Sequence, residues 1–462
     1  MKIKRINLKN YNQFKNIELD LTYPKGHTKE GQPLDKVCFI GQSGTGKTSL
    51  LRLLKYFVSN SRGIGKNIKL PEIAAGKVSM KMIFDDVEYR KESAETSFYI
   101  TEISKNGSKV QFEVYKKSLE HFKSKTRPLL INFPTELVFE KNPLDIENTD
   151  ESTIKSSKEK EEYLDKLALD SIIDFSFEDA SKTWDFVLKE IKNHRAEEIL
   201  WKNRIAEIAT GKNTKPKDIE KINREYHQWL TKNPNPLDQL AEKCLNPILL
   251  KLGLKVKTDV DLEAILNIGN VLLQTTKGAD VHRNFWSTGT KQIVQTATPL
   301  FELHPKNAIV LIDEPERSLF PDIQKMVIDF YVGLGKNCQF FFATHSPIIA
   351  SSFDPWEIVE LKFDESNENV IQDKNYTKDR HVDNYQFYPK YLRWDKVLMK
   401  VFELNDEGNE TYREEELMNA VSLKNELLEM KKQGREKTVL YKKKYGQFVT
   451  SATKLSWDEK IG

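Results

Sequence analysis

The segment KVCFIGQSGTGKTSLLRLLKYFV, residues 36–58, constrains the fold of this chain more than any other. Residues 36–40 are a short apolar run that reads as a buried strand, and they lead straight into GQSGTGKT, residues 41–48. Beyond that loop, Leu50, Leu51, Leu54, Phe57 and Val58 recur at helical spacing. Strand, glycine loop and amphipathic helix form the setting in which a G-x-x-x-x-G-K-S/T sequence cradles phosphate. Gly41, Gly44 and Gly46 let the backbone curl so that successive N–H groups face phosphate oxygens, and the helix N-terminus adds partial positive charge. Gly41, Gln42, Ser43, Gly44, Thr45, Gly46, Lys47, Thr48 and Ser49 are therefore the candidate nucleotide-contacting residues. Lys47 is expected to reach the β and γ phosphates and Thr48 to place its hydroxyl on magnesium.

A loop of this kind needs a metal-binding acid on a neighbouring strand, and AIVLIDEPE, residues 308–316, supplies one. Its apolar run ends in Asp313, suited to hold magnesium, and Glu314, suited to polarise the attacking water. Two further stretches carry polar groups at the edges of apolar elements. FWSTGTKQ, residues 285–292, opens an amphipathic helix and by itself reads as a helix cap with a turn. FFFATHSP, residues 340–347, ends an apolar strand in His345.

Around these motifs the pattern predicts an α/β architecture: a mixed β sheet with flanking helices, an antiparallel β subdomain, a helical insertion and a helical C-terminal tail. Ile17, Leu19 and Leu21 alternate as in a strand, and residues 77–116 show period two around Asn106-Gly107, a hairpin signal. PLLINF, residues 128–133, reads as another buried strand, whereas residues 140–165 are polar and charged, as in a solvated segment. Helical periodicity through Trp184, Leu188 and Ile191, and again after Pro216, marks residues 145–250 as a compact helical insertion without sustained heptads. The expected division is a first lobe with the phosphate loop at 1–144, the insertion at 145–250, a second lobe with the other motifs at 251–394 and a tail at 395–462.

The order of phosphate loop, serine-glycine signature, Asp-Glu strand and His strand resembles an ABC-type ATPase. DEPERSLFP and the opening INLKNYNQFKNIELDL are similar to its SMC, RecF and OLD branch rather than to transporter cassettes. The resemblance implies ATP and Mg2+ as ligands, with Lys47, Glu314 and His345 catalytic and Thr48 and Asp313 on the metal. It further implies a homo-oligomer in which two heads sandwich two nucleotides. Ser287, Thr288 and Gly289 would face the γ-phosphate bound by the opposite subunit, while His345 senses that phosphate in cis. Trp286, Thr288 and Thr290 depart from the family's usual Leu, Gly and Gln. For the magnesium-contacting glutamine of such enzymes, Gln111 and the region around Glu136 are the candidates.

What the ATPase drives follows partly from what is missing. After His345 there is no DxD pair, and only His345 and His381 are available there for an HNH-type site, so no nuclease site is expected in this chain. The size, short insertion and tail resemble the PtuA-type ATPase subunit of Septu and related retron-linked antiphage systems, which work with an HNH endonuclease subunit. That resemblance implies a regulatory ATPase; the alternative is a RecF-like repair ATPase that binds DNA without a nuclease partner. Net charge is only +3 although 31% of residues are charged, so DNA binding would require a local patch. KKQGREKTVLYKKKYG, residues 431–446, is such a stretch, with seven cations against Glu436. Cys38, Cys244 and Cys338 form no paired metal motif and suit a reducing cytoplasm. No apolar run approaches membrane-spanning length and the N-terminus lacks a signal-peptide core, so a cytoplasmic protein without a membrane partner is expected.

Overall fold

The computed structural model describes residues 2–61, 79–84, 87–94, 97–105, 108–109, 130–135, 172–176, 183–211, 215–259, 272–373, 389–391 and 412–455. The polar stretch at 140–165, Gln111, Glu136 and His381 lie outside these residues. The chain opens with an antiparallel pair, β1 (Ile3–Tyr11) and β2 (Phe14–Asp20), followed by β3 (Lys36–Gly41) and α1 (Lys47–Ser61). Strands β4 (Ser79–Phe84), β5 (Val87–Ala94), β6 (Ser97–Lys105) and β7 (Ser108–Lys109) extend β1 as an antiparallel ribbon. Next come β8 (Leu130–Phe133) and β9 (Ile172–Asp174), then four helical segments, α2 (Thr183–Thr210), α3 (Pro216–Lys232), α4 (Pro236–Leu240) and α5 (Asn246–Leu249). A small sheet of β10 (Leu254–Val256), β11 (Leu273–Thr275) and β12 (Asp280–Val281) precedes α6 (Thr288–Leu303). The order then runs β13 (Ile309–Asp313), α7 (Pro321–Gly333), β14 (Gln339–Ala343), α8 (Pro347–Ala350), β15 (Ile358–Phe363) and β16 (Val370–Asp373).

Among the described residues thirteen strands form one sheet in the order β7-β6-β5-β4-β1-β2-β16-β15-β3-β14-β13-β8-β9. Neighbours from β15 through β9 pair in parallel, so their C-terminal ends share one edge. One expectation needs correcting here. Asp313 does not lie on a strand adjacent to β3, because β14 is hydrogen-bonded between β3 and β13. The spacing of motifs along a chain carries no strand order, and the interposed strand is the one that leads to His345.

The apolar runs are continuous because both faces of this sheet are covered. On β14, Phe340 and Phe342 face the core beneath α6 and α7, whereas Phe341 faces the core beneath α1. Val310 and Ile312 against Ile309 and Leu311 repeat the alternation on β13. All three cysteines are buried and free.

The helical region contains a two-helix hairpin. Helices α2 and α3 run antiparallel, since His194 Nε2 bonds to the Asn233 carbonyl at 2.8 Å while Tyr226 donates to Glu198 at 3.2 Å. Trp201 meets both Tyr226 and Trp229 at centroid separations of 6.3 Å. The 28 residues of α2 span about 42 Å, and beyond its buried Val187 and Ile191 it is largely solvent-facing. A short aromatic seam therefore holds a projecting hairpin. Within the stretch read as insertion, β9 pairs with β8 and belongs to the main sheet.

Residues 403–462 form a second compact unit. In it α9 (Tyr412–Lys432) and α10 (Val439–Lys454) pack through Leu423, Leu427, Phe448 and Ala452. Lys454 pairs with Glu416 at 2.9 Å, and Lys444 with Glu426. Residues 431–440, which span the connection between the two helices and its flanking helix ends, are all exposed.

Candidate functional site

The phosphate loop joins β3 to α1 at the C-terminal edge of the parallel strands. Gly41 has φ 142°, and a Cβ there would stand 2.1 Å from the Leu361 carbonyl oxygen, so only glycine lets β3 leave the sheet beside β15. At Gly46, φ 84°, a Cβ would meet Gln13 Nε2 at 2.3 Å and Phe14 at 2.7 Å. The turn between β1 and β2 is thus seated on the loop. Gln42, Ser43 and Gly44 are exposed at its tip, while Thr45 is buried and its hydroxyl donates to the Gln42 carbonyl at 2.8 Å. Thr48 and Ser49 are half-buried in the first turn of α1, a turn without acidic residues to oppose an anion.

Lys47 is 5% exposed, and its ammonium donates to the carbonyls of Gly41 at 2.8 Å and Gln42 at 2.9 Å. Burial pulls its pKa down to about 8, while the charges of Asp313, Glu314 and Glu316 act in the opposite direction. Those same acids mark the neighbourhood: Asp313 is buried at the end of β13, and Glu314 follows it in the left-handed region at φ 49°. That conformation costs a side chain about 1–2 kcal/mol. It is held by the Glu314 N–H donating to Ala343 at 2.8 Å, and by its carbonyl accepting from Gln292 at 3.3 Å and the Arg317 N–H at 3.1 Å. His345 follows β14 by two residues. Burial and the nearby Lys47 lower its pKa, and Glu314 and Asp313 partly offset them. Lys47, Asp313, Glu314 and His345 therefore share one electrostatic neighbourhood.

The residues read from the sequence as a signature, Ser287, Thr288 and Gly289, lie at the start of α6. Ser287 is the N-cap, its Oγ accepting from the Thr290 N–H at 3.1 Å. Ser287 and Thr288 are exposed, whereas Gly289 is buried. A Cβ on Gly289 would stand 2.4 Å from the Ser318 carbonyl oxygen, so glycine brings α6 against the loop that follows Glu314. Trp286 is buried, and its indole donates to the Val281 carbonyl at 3.2 Å.

With this arrangement in place, the comparison with known families is decisive: the AAA ATPase domain family matches residues 1–350. The chain belongs to that family. Among solved structures it is similar to the Smc head domain with an extended coiled coil bound to the C-terminal domain of ScpA from Pyrococcus furiosus. That match has 13% identity over 80% of this chain and 95% of the other, with a TM-score of 0.39. It is also similar to the SMC head domain from Thermotoga maritima, at 11% identity over 80% and 98%, TM-score 0.38. An SMC head bound to the C-terminal winged-helix domain of ScpA gives 12% identity over 80% and 97%, TM-score 0.40. No curated protein matches the chain.

An AAA ATPase domain implies ATP and, with it, magnesium, and the donor set here fits that ion. Thr48, in the first turn of α1, and Asp313, at the end of β13, carry hard oxygen donors of the kind magnesium takes. Among the described residues no group of three His, Cys, Asp or Glu forms a metal cage. Magnesium needs none, since it takes one or two protein oxygens together with phosphate oxygens and water. Three groups around the site escaped the sequence reading. Gln292 and Glu316 sit inside quoted motifs and Gln13 in the quoted opening, but what they meet lies in loops distant in the chain, so only residue type signalled them. Among the described residues no helix is long and apolar enough to cross a membrane.

Proposed function

We propose that this AAA ATPase binds and hydrolyses ATP as a pair of heads, each nucleotide held between the loop of one protomer and the α6 N-terminus of the other. The observation that carries this reading is the convergence of Lys47, Asp313, Glu314 and His345 at the C-terminal ends of β3, β13 and β14. Lys47 and the amides of the loop bind the phosphates. Thr48 and Asp313 would hold the magnesium ion, which would neutralise phosphate charge when bound. Glu314 orients and polarises the attacking water, and His345 contacts the γ-phosphate. Ser287, with its hydroxyl at an exposed helix N-cap, and the adjoining Thr288 and Gly289 meet the partner protomer's γ-phosphate. Occupancy by ATP then switches the assembly between separate and clamped heads.

The clamp's output, in this reading, is control of a separate HNH-type endonuclease within a cytoplasmic antiphage defence complex. The support is the likeness of the chain's size, short insertion and tail to PtuA-type subunits. The basic turn between α9 and α10 is the proposed DNA contact, supported by its exposure and charge. Glu314→Gln tests the core of the proposal. It should retain ATP, slow hydrolysis by about 10²–10⁴-fold and trap an ATP-dependent species of doubled mass. A rate near wild type would remove Glu314 from the chemistry. Co-purification with an HNH endonuclease supports the defence reading, whereas retention of duplex DNA alone returns the chain to the RecF-like alternative.

A further inference from the structure

Glu316, two positions beyond Glu314, has no part in the chemistry described above, yet its side chain bonds across to the end of β14. Its Oε1 accepts from the Thr344 hydroxyl at 2.7 Å and from the His345 backbone N–H at 2.9 Å. Thr344 Oγ1 in turn accepts from the Ser346 N–H at 2.9 Å. One carboxylate oxygen therefore organises three consecutive residues centred on His345. The loop that carries Glu316 is itself anchored, since the Leu319 N–H donates to the Glu316 carbonyl at 2.9 Å and Arg317 Nη1 donates to the Thr135 carbonyl at 2.7 Å. The other oxygen, Oε2, is closed off from solvent and has no hydrogen-bond partner among the described residues.

We propose that Glu316 is a positioning residue that sets the His345 turn and so couples the loop bearing Glu314 to the γ-phosphate-facing imidazole. The proposal rests on the reading of His345 given above. Two physical points support it. A carboxylate accepts from two donors without offering a competing one, and such charge-assisted bonds are about twice as strong as neutral ones. A buried carboxylate oxygen without a donor is costly, so an apolar side chain would serve a purely structural need at lower cost. The acid is better explained by what Oε1 holds in place than by stability.

The test is a double-mutant cycle on the full chain, with ATP turnover and binding of a fluorescent ATP analogue as separate readouts. Glu316→Ala should lower kcat by about 10-fold or more while the nucleotide Kd changes by less than about threefold. Glu316→Gln, whose amide oxygen can accept both bonds, should recover most of that loss. Glu316→Ala combined with His345→Ala should be no slower than His345→Ala alone, because both act through one imidazole. Losses that multiply in the double variant, or wild-type turnover in Glu316→Ala beside an impaired His345→Ala, would overturn the proposal. Wild-type turnover in His345→Ala would instead sink the reading of the histidine, and the proposal with it. Should Glu316→Ala not fold, Thr344→Val removes the other end of the contact and carries the same cycle.

Discussion

Lys47 combines two properties that oppose each other: it is buried, and it must be charged to hold phosphate. Burial lowers its pKa to about 8, so between there and the ordinary lysine value the folded protein binds fewer protons at this site than the unfolded chain. Stability contributed by this group consequently rises with pH across that window. Phosphate favours the ammonium form, so ATP binding should draw in a proton increasingly as pH passes about 8, and affinity should fall between about pH 7 and pH 9. Calorimetric titrations in buffers of different ionisation heat measure this directly. Equal affinity with no proton uptake near pH 9 would show that Lys47 stays charged there. The identity of Lys47 was legible from the motif alone; its lowered pKa was not, because burial is a tertiary property. The same holds for Glu314, whose left-handed backbone depends on Ala343 of β14 and Gln292 of α6.

Among the elements, those with strong local patterns were the readable ones. Helix α3 begins at Pro216 as the proline predicts, and β13 and β14 match their apolar runs. Short strands such as β9 and β12 carry too few residues for a period to register and exist because a neighbour pairs with them. The basic turn belongs to this scale as well. Gly434, at φ 71°, ends α9, and Thr438 caps α10, its Oγ1 accepting from the Tyr441 N–H at 3.2 Å. That tight connection gathers Lys432, Arg435, Lys437, Lys442 and Lys443 near a helix N-terminus without acidic residues in its first turn. Lys442→Glu with Lys443→Glu should weaken duplex DNA binding and reduce the slope of log K against log salt by about 2. An unchanged slope would remove this turn as a phosphate contact, while ATP turnover without DNA should stay at the wild-type rate.

For the whole molecule, the central expectation is that each ATP site is built from two protomers. Mixing Lys47→Ala protein with Ser287→Arg protein tests it without any structure of the pair. Each variant alone lacks one half of every site, but a mixed pair contains one site with both halves intact. Turnover of the mixture should exceed the sum of the separate rates about 10-fold or more, given how sharply such residues act as a unit. A merely additive mixture would show that heads work singly. The chain's own residues, without any coordinates, determined the phosphate loop, the Asp-Glu strand, the α/β alternation and the family likeness, because these depend on local spacing and on apolar runs that must be buried. Tertiary structure alone decided that β14 lies between β3 and β13, that the inserted helices project as a hairpin, and that Glu316 grips the His345 turn. Strand order and long-range hydrogen bonds join residues far apart in the chain, and no periodicity in sequence records which distant partners meet.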